Sequence, residues 1–537
     1  MVQAYHLVFA VVSGVTSHLT VFIWGEWHLW TWLVICTYLF LAFLVFSVRK
    51  LVLGFPLLEA ATWILEFGAV YITALFSSIV IYRVFFHRLR KFRGPFWASV
   101  TKFWHVWKCR TSQNHLVLDK VRAQYGNIVR TGPNELTIFD PSAPSTFNDG
   151  FNNPCTRPAW YDFLYPLQAL ISMREKKRHI VRRRIWDRGF STSALCGYQP
   201  KIQQLAEELE EHIASSYGAP IDMDVEIHWF SYDIMGYFAF AQSFSMRRDR
   251  KWHHAVKVMR EGLSLLGYLT PVPWLGQLAF NFKILPPVQK WTAMIKWCQS
   301  RMSERLQVSS WLIKHSVEQG TLDQDMSLLS GDAILMTIAG SDTVASTLIF
   351  LLYHLALQPL EAEKIFRELQ AADSISNFDS LKKLHHLNAV IQETLRLHPP
   401  VLTGGLRNTP PSGIWLNDVF IPGDVTVCIP QYSICRDPNC FERPLEFIPE
   451  RWYSQHDLIK DRRGYAPFSI GRGNCIGQYL AKDEIRFVIA LLVSKHVFEL
   501  APGGDRNQTE NDARDCFTVI PGKLRLIFRP RMVAGTT

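Results

Sequence analysis

The most distinctive chemistry in this chain gathers at one cysteine. Cys475 lies in Phe468-Ser-Ile-Gly471-Arg472-Gly473-Asn-Cys475-Ile-Gly477, directly before an apolar helical pattern over 478–495. Glycines at 471, 473 and 477 permit turns and close backbone approaches that a side chain would block. The helix start that follows offers unpaired N–H groups and a positive dipole end, which favour a thiolate over a thiol. Such a loop can present a sulfur anion to a metal or a bulky electrophile. Taken alone, a free cysteine is more often a small buried hydrophobe, so the other groupings in the chain have to decide.

Three spaced signatures precede the cysteine loop and make four with it, and a basic run lies further upstream. Ala339-Gly340-Ser341-Asp342-Thr343 sets an acid beside a hydroxyl in a long apolar helical pattern at 325–357. By itself, a mid-helix threonine ordinarily bonds back to the carbonyl four residues earlier, here Ala339. Glu393-Thr-Leu-Arg396 puts opposite charges at i, i+3 on one helical face, where they can pair. Phe447-Ile-Pro449-Glu450-Arg451-Trp452 supplies a further cation. A basic run at 173–190 carries His179 and Arg183 at i, i+4.

In this order and spacing, the four signatures resemble the cytochrome P-450 superfamily of haem-thiolate monooxygenases, in its membrane-anchored fungal form, over roughly 91–529. The resemblance implies a mainly α fold with small β-sheets, the cytochrome P-450 fold, holding heme b. By similarity, Cys475 is the axial thiolate whose electron donation favours O–O cleavage, and Phe468 packs beneath the haem. Asp342 and Thr343 correspond to the proton-delivery pair, and Gly340 leaves room for oxygen and substrate. Glu393, Arg396 and Arg451 correspond to a buried structural charge network. His179, Arg183 and Arg407 match propionate contacts. One position departs from the family pattern Phe-x-x-Gly-x-Arg-x-Cys-x-Gly: Gly473 stands where the arginine belongs, and Arg472 comes one residue early. Either Arg472 reaches round to the haem or another cation replaces it.

The same resemblance places substrate contacts in 148–171 and at Leu335, Ala339, Gly340, Val401, Leu402, Thr403, Val519 and Ile520. These are largely uncharged, so an apolar secondary metabolite of medium size follows. The expected reaction inserts one atom of O2, with NADPH-derived electrons from a separate flavoprotein reductase that docks on the cations of 173–190. Two alternatives stay open. One is a haem-thiolate isomerase or dehydratase needing no external electrons, which the retained Asp342-Thr343 pair disfavours. The other is a non-catalytic haem-binding membrane protein, for which Gly473 is the support.

Composition frames these elements. The 537 residues are 48% hydrophobic and carry a net charge of +10, which suits an acidic partner or an anionic membrane surface. No nucleic-acid motif accompanies the charge, so nucleic acid is not an expected partner. Ten cysteines without a CxxC argue against a disulfide framework and a zinc finger, and fit a reducing compartment. Apolar stretches at 5–24, 29–47 and 53–86 approach or exceed the ~20 residues a spanning helix needs. Residues 1–90 therefore read as a membrane anchor with two or three transmembrane helices, and 91–537 as the catalytic domain. The basic block Arg83, Arg88, Arg90, Lys91 and Arg93 puts that domain on the cytosolic face of the endoplasmic reticulum membrane. Arg49 and Lys50 oppose this for a three-span arrangement. Within the domain, periodicity predicts helices at 116–125, 194–215, 225–242, 289–308, 325–357, 361–372 and 384–397. β-like runs fall at 127–131, 135–139, 414–427 and 517–528.

Overall fold

The computed structural model describes residues 2–150, 153–165, 167–240, 242–304, 310–372 and 374–531. Three N-terminal helical segments, Tyr5–Phe22, His28–Val52 and Leu57–Phe86, are long and apolar enough to cross a membrane, and little of each is buried. Gly14 lets the first approach the third closely, since a Cβ there would stand 2.6 Å from the Tyr71 carbonyl oxygen. Small residues serve helix contacts in lipid in this way. His18 Nδ1 meets Ser78 Oγ at 2.8 Å, and the Tyr38 and Tyr71 hydroxyls lie 2.6 Å apart.

Packing of the main body begins slightly before residue 91. Leu89 is fully buried in a cluster with Leu136, Ile138 and Val427. That cluster lies beneath a four-stranded sheet in the order Ile128–Gly132, Glu135–Ile138, Thr426–Cys428, Arg407–Asn408. The middle pair is parallel and the outer pairs are antiparallel. The β-like run at 414–427 divides into three short strands, because Asn417 and Asp424 turn the chain with positive φ. The run at 517–528 likewise forms two strands, Thr518–Ile520 and Arg525–Pro530, in different sheets.

Leu322–Leu357 is the longest helix, 36 residues or about 54 Å. It begins three residues before its expected start, where Thr321 Oγ1 donates to Asp325 Oδ2 at 2.7 Å. Unlike the N-terminal helices, it is mostly buried. Helices Met223–Phe240 and Gln478–Lys495 contribute to the same core, including Phe230, Ile234, Leu348, Phe350, Val488 and Leu492. The helix expected at 289–308 runs from Pro286 to Glu304, and residues 305–308 lie outside the described residues. The basic run forms the helix Lys176–Gly189. Its Arg182 is buried and pairs with buried Asp332 of the central helix, Nε to Oδ2 at 2.7 Å. Trp186 Nε1 and the Leu170 amide also donate to Asp332, at 3.1 and 2.8 Å. This cluster fixes the basic helix to the central one.

Candidate active site

A cavity of about 330 Å³ opens between the central helix and the Cys475 loop, with the basic helix at one end. Cys475 lines it, and its accessible surface faces it. The loop closes through the Cys475 amide, which donates to the Phe468 carbonyl at 2.8 Å. Gly471 adopts φ 70°, and a Cβ there would fall 2.0 Å from the Asn148 carbonyl oxygen, so only glycine fits. Burial pushes the Cys475 thiol up, while the Gly477 N–H, Arg183 and Lys482 favour the thiolate. Phe468, Ile476 and Gly477 continue the same wall.

The opposite wall comes from the central helix, with Leu335, Ala339, Gly340 and Thr343. Thr343 Oγ1 donates to the Ala339 carbonyl at 2.6 Å, so the hydroxyl back-bonds and lines the cavity at once. The space freed at Gly340 is taken up by Met235, whose sulfur would lie 2.5 Å from a Cβ. The expected Asp342–Thr343 pair is not assembled. Consecutive helical residues point about 100° apart, and Asp342 is buried away from the cavity. There it accepts from Tyr232 Oη at 3.0 Å and Arg260 Nη1 at 3.3 Å. Burial raises its pKa against the opposing pull of Arg260.

At the basic end, Arg157, Arg183 and Arg407 line the cavity together with His179. Arg183 spans Asn474, donating to its carbonyl at 2.8 Å and its Oδ1 at 3.0 Å, and thereby holds the cysteine loop. Arg157 lies over the Tyr161 ring at 5.5 Å, and its Nη2 is 3.3 Å from His179 Nε2. Burial, then Arg157 and its neighbours, lower the His179 pKa to about 3, so the ring is neutral. Arg472 is not part of this lining. It lies close enough to Lys176 and His179 to disfavour their protonation. Arg157 belongs to no motif, and sequence reasoning missed it. Glu484 is the single carboxylic acid among the described lining residues. Burial raises its pKa to about 8, opposed by the Ser231 hydroxyl.

Glu393, Arg396 and Arg451 come together with no exposed surface. Arg396 donates Nε and Nη2 to the Glu393 carboxylate at 2.9 and 2.8 Å, and Arg451 Nε donates at 3.0 Å. Trp452 Nε1 and the Ile448 amide complete the shell at 2.9 and 3.0 Å. The remaining guanidinium hydrogens reach backbone carbonyls such as those of Cys435, Pro444 and Glu442. Every charge is therefore met, as a buried network requires.

Of the residues expected at the substrate, Leu335, Ala339, Gly340 and Val401 line the cavity. Leu402, Val519 and Ile520 are buried in the surrounding packing, and Thr403 is likewise off the wall. Pro400, Phe517 and Thr518 take their places. Successive strand residues face opposite sides, and the Val519 amide is already committed to the Pro400 carbonyl at 2.8 Å.

Comparison with known proteins decides the family. A family model described as Cytochrome P-450 matches residues 95–528. The chain belongs to the cytochrome P-450 family. It is 36% identical over 471 residues to the cytochrome P-450 monooxygenase orf5 of Eupenicillium brefeldianum, covering 86% of this chain and 96% of that one. It is 33% identical to the cytochrome P-450 monooxygenase FCK2 of Fusarium pseudograminearum, over 97% of each. Tryprostatin B 6-hydroxylase of Aspergillus fumigatus is 34% identical, over 93% and 92%. As a cytochrome P-450 of the fungal secondary-metabolite type, the protein is a haem-dependent monooxygenase. It uses haem with a cysteine thiolate ligand, O2, and NADPH-derived electrons passed on by a reductase. The donor set in the cavity suits that group. A thiol stands on one wall, a side-chain-poor helix face lies opposite, and three guanidiniums at one end can match two carboxylates.

Proposed function

We propose that Cys475 supplies the thiolate ligand of heme b, and that an apolar substrate is oxidised against the central-helix wall at Leu335, Ala339, Gly340 and Thr343. The observation that carries this reading is Cys475 facing that wall across one cavity whose end holds Arg157, Arg183 and Arg407. Haem, when bound, supplies the reductive activation of O2. The chain's own residues do the rest. The Gly477 N–H tunes the sulfur, and Phe468 packs beside it. Arg157, Arg183 and Arg407 would hold the propionates, and neutral His179 would add a donor without charge. Thr343 Oγ1 donates its hydrogen bond to the Ala339 carbonyl, and by turning its side chain it can donate that hydrogen bond into the cavity instead, keeping its proton. Glu393, Arg396 and Arg451 hold the loop in place. Apolar lining by Met235, Met336, Val401 and Phe517 supports a weakly polar substrate. The relative named for hydroxylating tryprostatin B supports a secondary metabolite.

Lys176, Lys177, Arg178, Arg184 and Arg188 are exposed on the basic helix and form the docking face for an acidic flavoprotein reductase. The N-terminal helices anchor the protein in the endoplasmic reticulum membrane, with the catalytic domain in the cytosol, as the basic block from Arg83 to Arg93 supports.

The deciding experiment expresses the full chain with a reductase. The reduced, carbon-monoxide-treated wild type is expected to show a thiolate-type Soret band that Cys475→Ala lacks. A metabolite that accumulates in a deletion strain is expected to gain one oxygen atom on incubation with the wild type and NADPH. An unchanged band in Cys475→Ala, or conversion without NADPH, overturns the reading.

A further inference from the structure

We infer that the connection between the first two N-terminal helices is a latch on the active-site wall: Glu26 and His28 hold the turn Ala159–Leu164, and with it Tyr161 and Arg157, beside the cavity. The inference rests on the reading of that cavity as the haem and substrate site.

Arg174 is the centre of the latch. Its Nη1 and Nη2 donate to the two Glu26 carboxylate oxygens at 2.7 and 2.6 Å, and Nη1 also reaches Asp162 Oδ2 at 2.8 Å. His28 Nε2 lies 2.8 Å from the same Asp162 oxygen. Arg174 Nε donates to the Arg157 carbonyl at 3.2 Å. Asp162 and Tyr161 share one turn, and Tyr161 and Arg157 both line the cavity. The far side of the turn is held by the helix Trp274–Phe280 and its approach. Gln277 Nε2 donates to the Asp162 carbonyl at 2.6 Å, and Trp160 Nε1 to the Thr270 carbonyl at 2.8 Å. Trp32 of the second N-terminal helix meets the Phe282 ring edge-on at 5.1 Å. The anchor therefore grips both sides of this wall.

A lone exposed ion pair contributes little. Here a bidentate, charge-assisted fork is shared among four side chains and joins segments 148 residues apart. Ligand atoms of Glu26, His28 and Asp162 lie within 4.8 Å of one another, a spacing that a cation could use. The Arg174 guanidinium already supplies positive charge at that point, so the cluster reads as an ion-paired latch. Removing the anchor then does more than release the enzyme from lipid. It frees one wall of the site.

The test uses the full-length protein in lipid nanodiscs, comparing Glu26→Gln, Arg174→Gln, the double variant and, as a control in the anchor, Glu59→Gln. Hydrogen exchange at the amides of Ala159–Leu164 is expected to quicken about threefold in Glu26→Gln. Glu59→Gln should match the wild type. Glu26→Gln should add nothing once Arg174→Gln is present, as coupled partners require. In the haem-loaded protein, the bulky azole clotrimazole should bind and leave faster in Glu26→Gln, with imidazole rates and the carbon-monoxide spectrum unchanged. Equal exchange in Glu26→Gln and wild type, an equal effect of Glu59→Gln, or additive Glu26 and Arg174 effects overturns the latch. Absence of a thiolate-type spectrum in the wild type overturns the haem reading instead, and the exchange data still judge the latch.

Discussion

Arg407 Nη2 lies 3.3 Å from the point that a Cβ would occupy on Gly473. The space beside the position at which the family pattern carries an arginine is therefore occupied by a guanidinium from another segment. Arg407 reaches the cavity from the strand pair Arg407–Asn408 and Thr426–Cys428, and joins Arg157 and Arg183 there. Arg407 is itself one of the expected cations, so it fills the space beside Gly473 without standing in for the missing arginine, and Arg157 is the further guanidinium in the lining.

Gly473→Arg should consequently weaken haem retention rather than improve it, since the new side chain competes with Arg407 for one space. The haem-to-protein ratio after purification is expected to fall, and to recover in Gly473→Arg with Arg407→Ala. Full retention in the single variant would show that the two side chains do not compete for that space.

Thr343→Ala removes the hydroxyl on the cavity wall and its bond to Ala339. Haem binding should persist, because no contact to the cysteine loop is lost. The fraction of consumed NADPH that appears as product should drop several-fold, measured as the ratio of oxygenated product to NADPH oxidised.

Glu393→Gln leaves two fully buried guanidiniums facing a neutral amide. Breaking a buried network by removing one partner costs about 3–5 kcal/mol, so the thermal midpoint should fall markedly and little haem-loaded protein should accumulate. A midpoint within a degree or two of wild type would show the network to be dispensable.

Glu484 sets a pH dependence. Its folded pKa is raised to about 8 by burial, above the ordinary glutamate value. Between those two values the unfolded chain has lost a proton that the folded chain keeps, so stability falls as pH rises through that window. Thermal midpoints taken from pH 5 to pH 8 should therefore decline less in Glu484→Gln than in the wild type. Parallel curves would exclude Glu484 as the source.

The contact of Glu26 and His28 with the catalytic body supports a three-span arrangement, which we propose. With three spans, that connection shares the body's side, and the N-terminus and the turn after Val52 lie opposite. That arrangement would put Arg49 on the far side, where the rings of Phe55 and Trp63 lie 4.2 and 4.5 Å from its guanidinium carbon. A glycosylation acceptor sequence added at the N-terminus should be modified in microsomes, and one inserted near Trp27 should not. The reverse pattern would rule out this arrangement.

Much of this protein was legible in local pattern. Apolar runs marked the three N-terminal helices, the 3.6-residue period marked the central helix, and four spaced signatures identified the family and the Glu393–Arg396–Arg451 network. These are properties of neighbours along one element, where spacing dictates which face a side chain takes. Convergence of distant segments is of another kind. Arg157, Arg183 and Arg407 meet only because a loop, a helix and a strand pack around one cavity, and no interval in the chain encodes that. Asp342 and Thr343 are adjacent in sequence, yet the helix turns one toward Arg260 and the other toward the cavity. Leu402 and Val519 lie one or two positions from wall residues, and packing alone selects which side chain faces in. Sequence by itself determined the chemistry available and the elements that carry it. Only the tertiary structure decided which side chains face the site, because that depends on the rotation and docking of elements whose contacts are long-range.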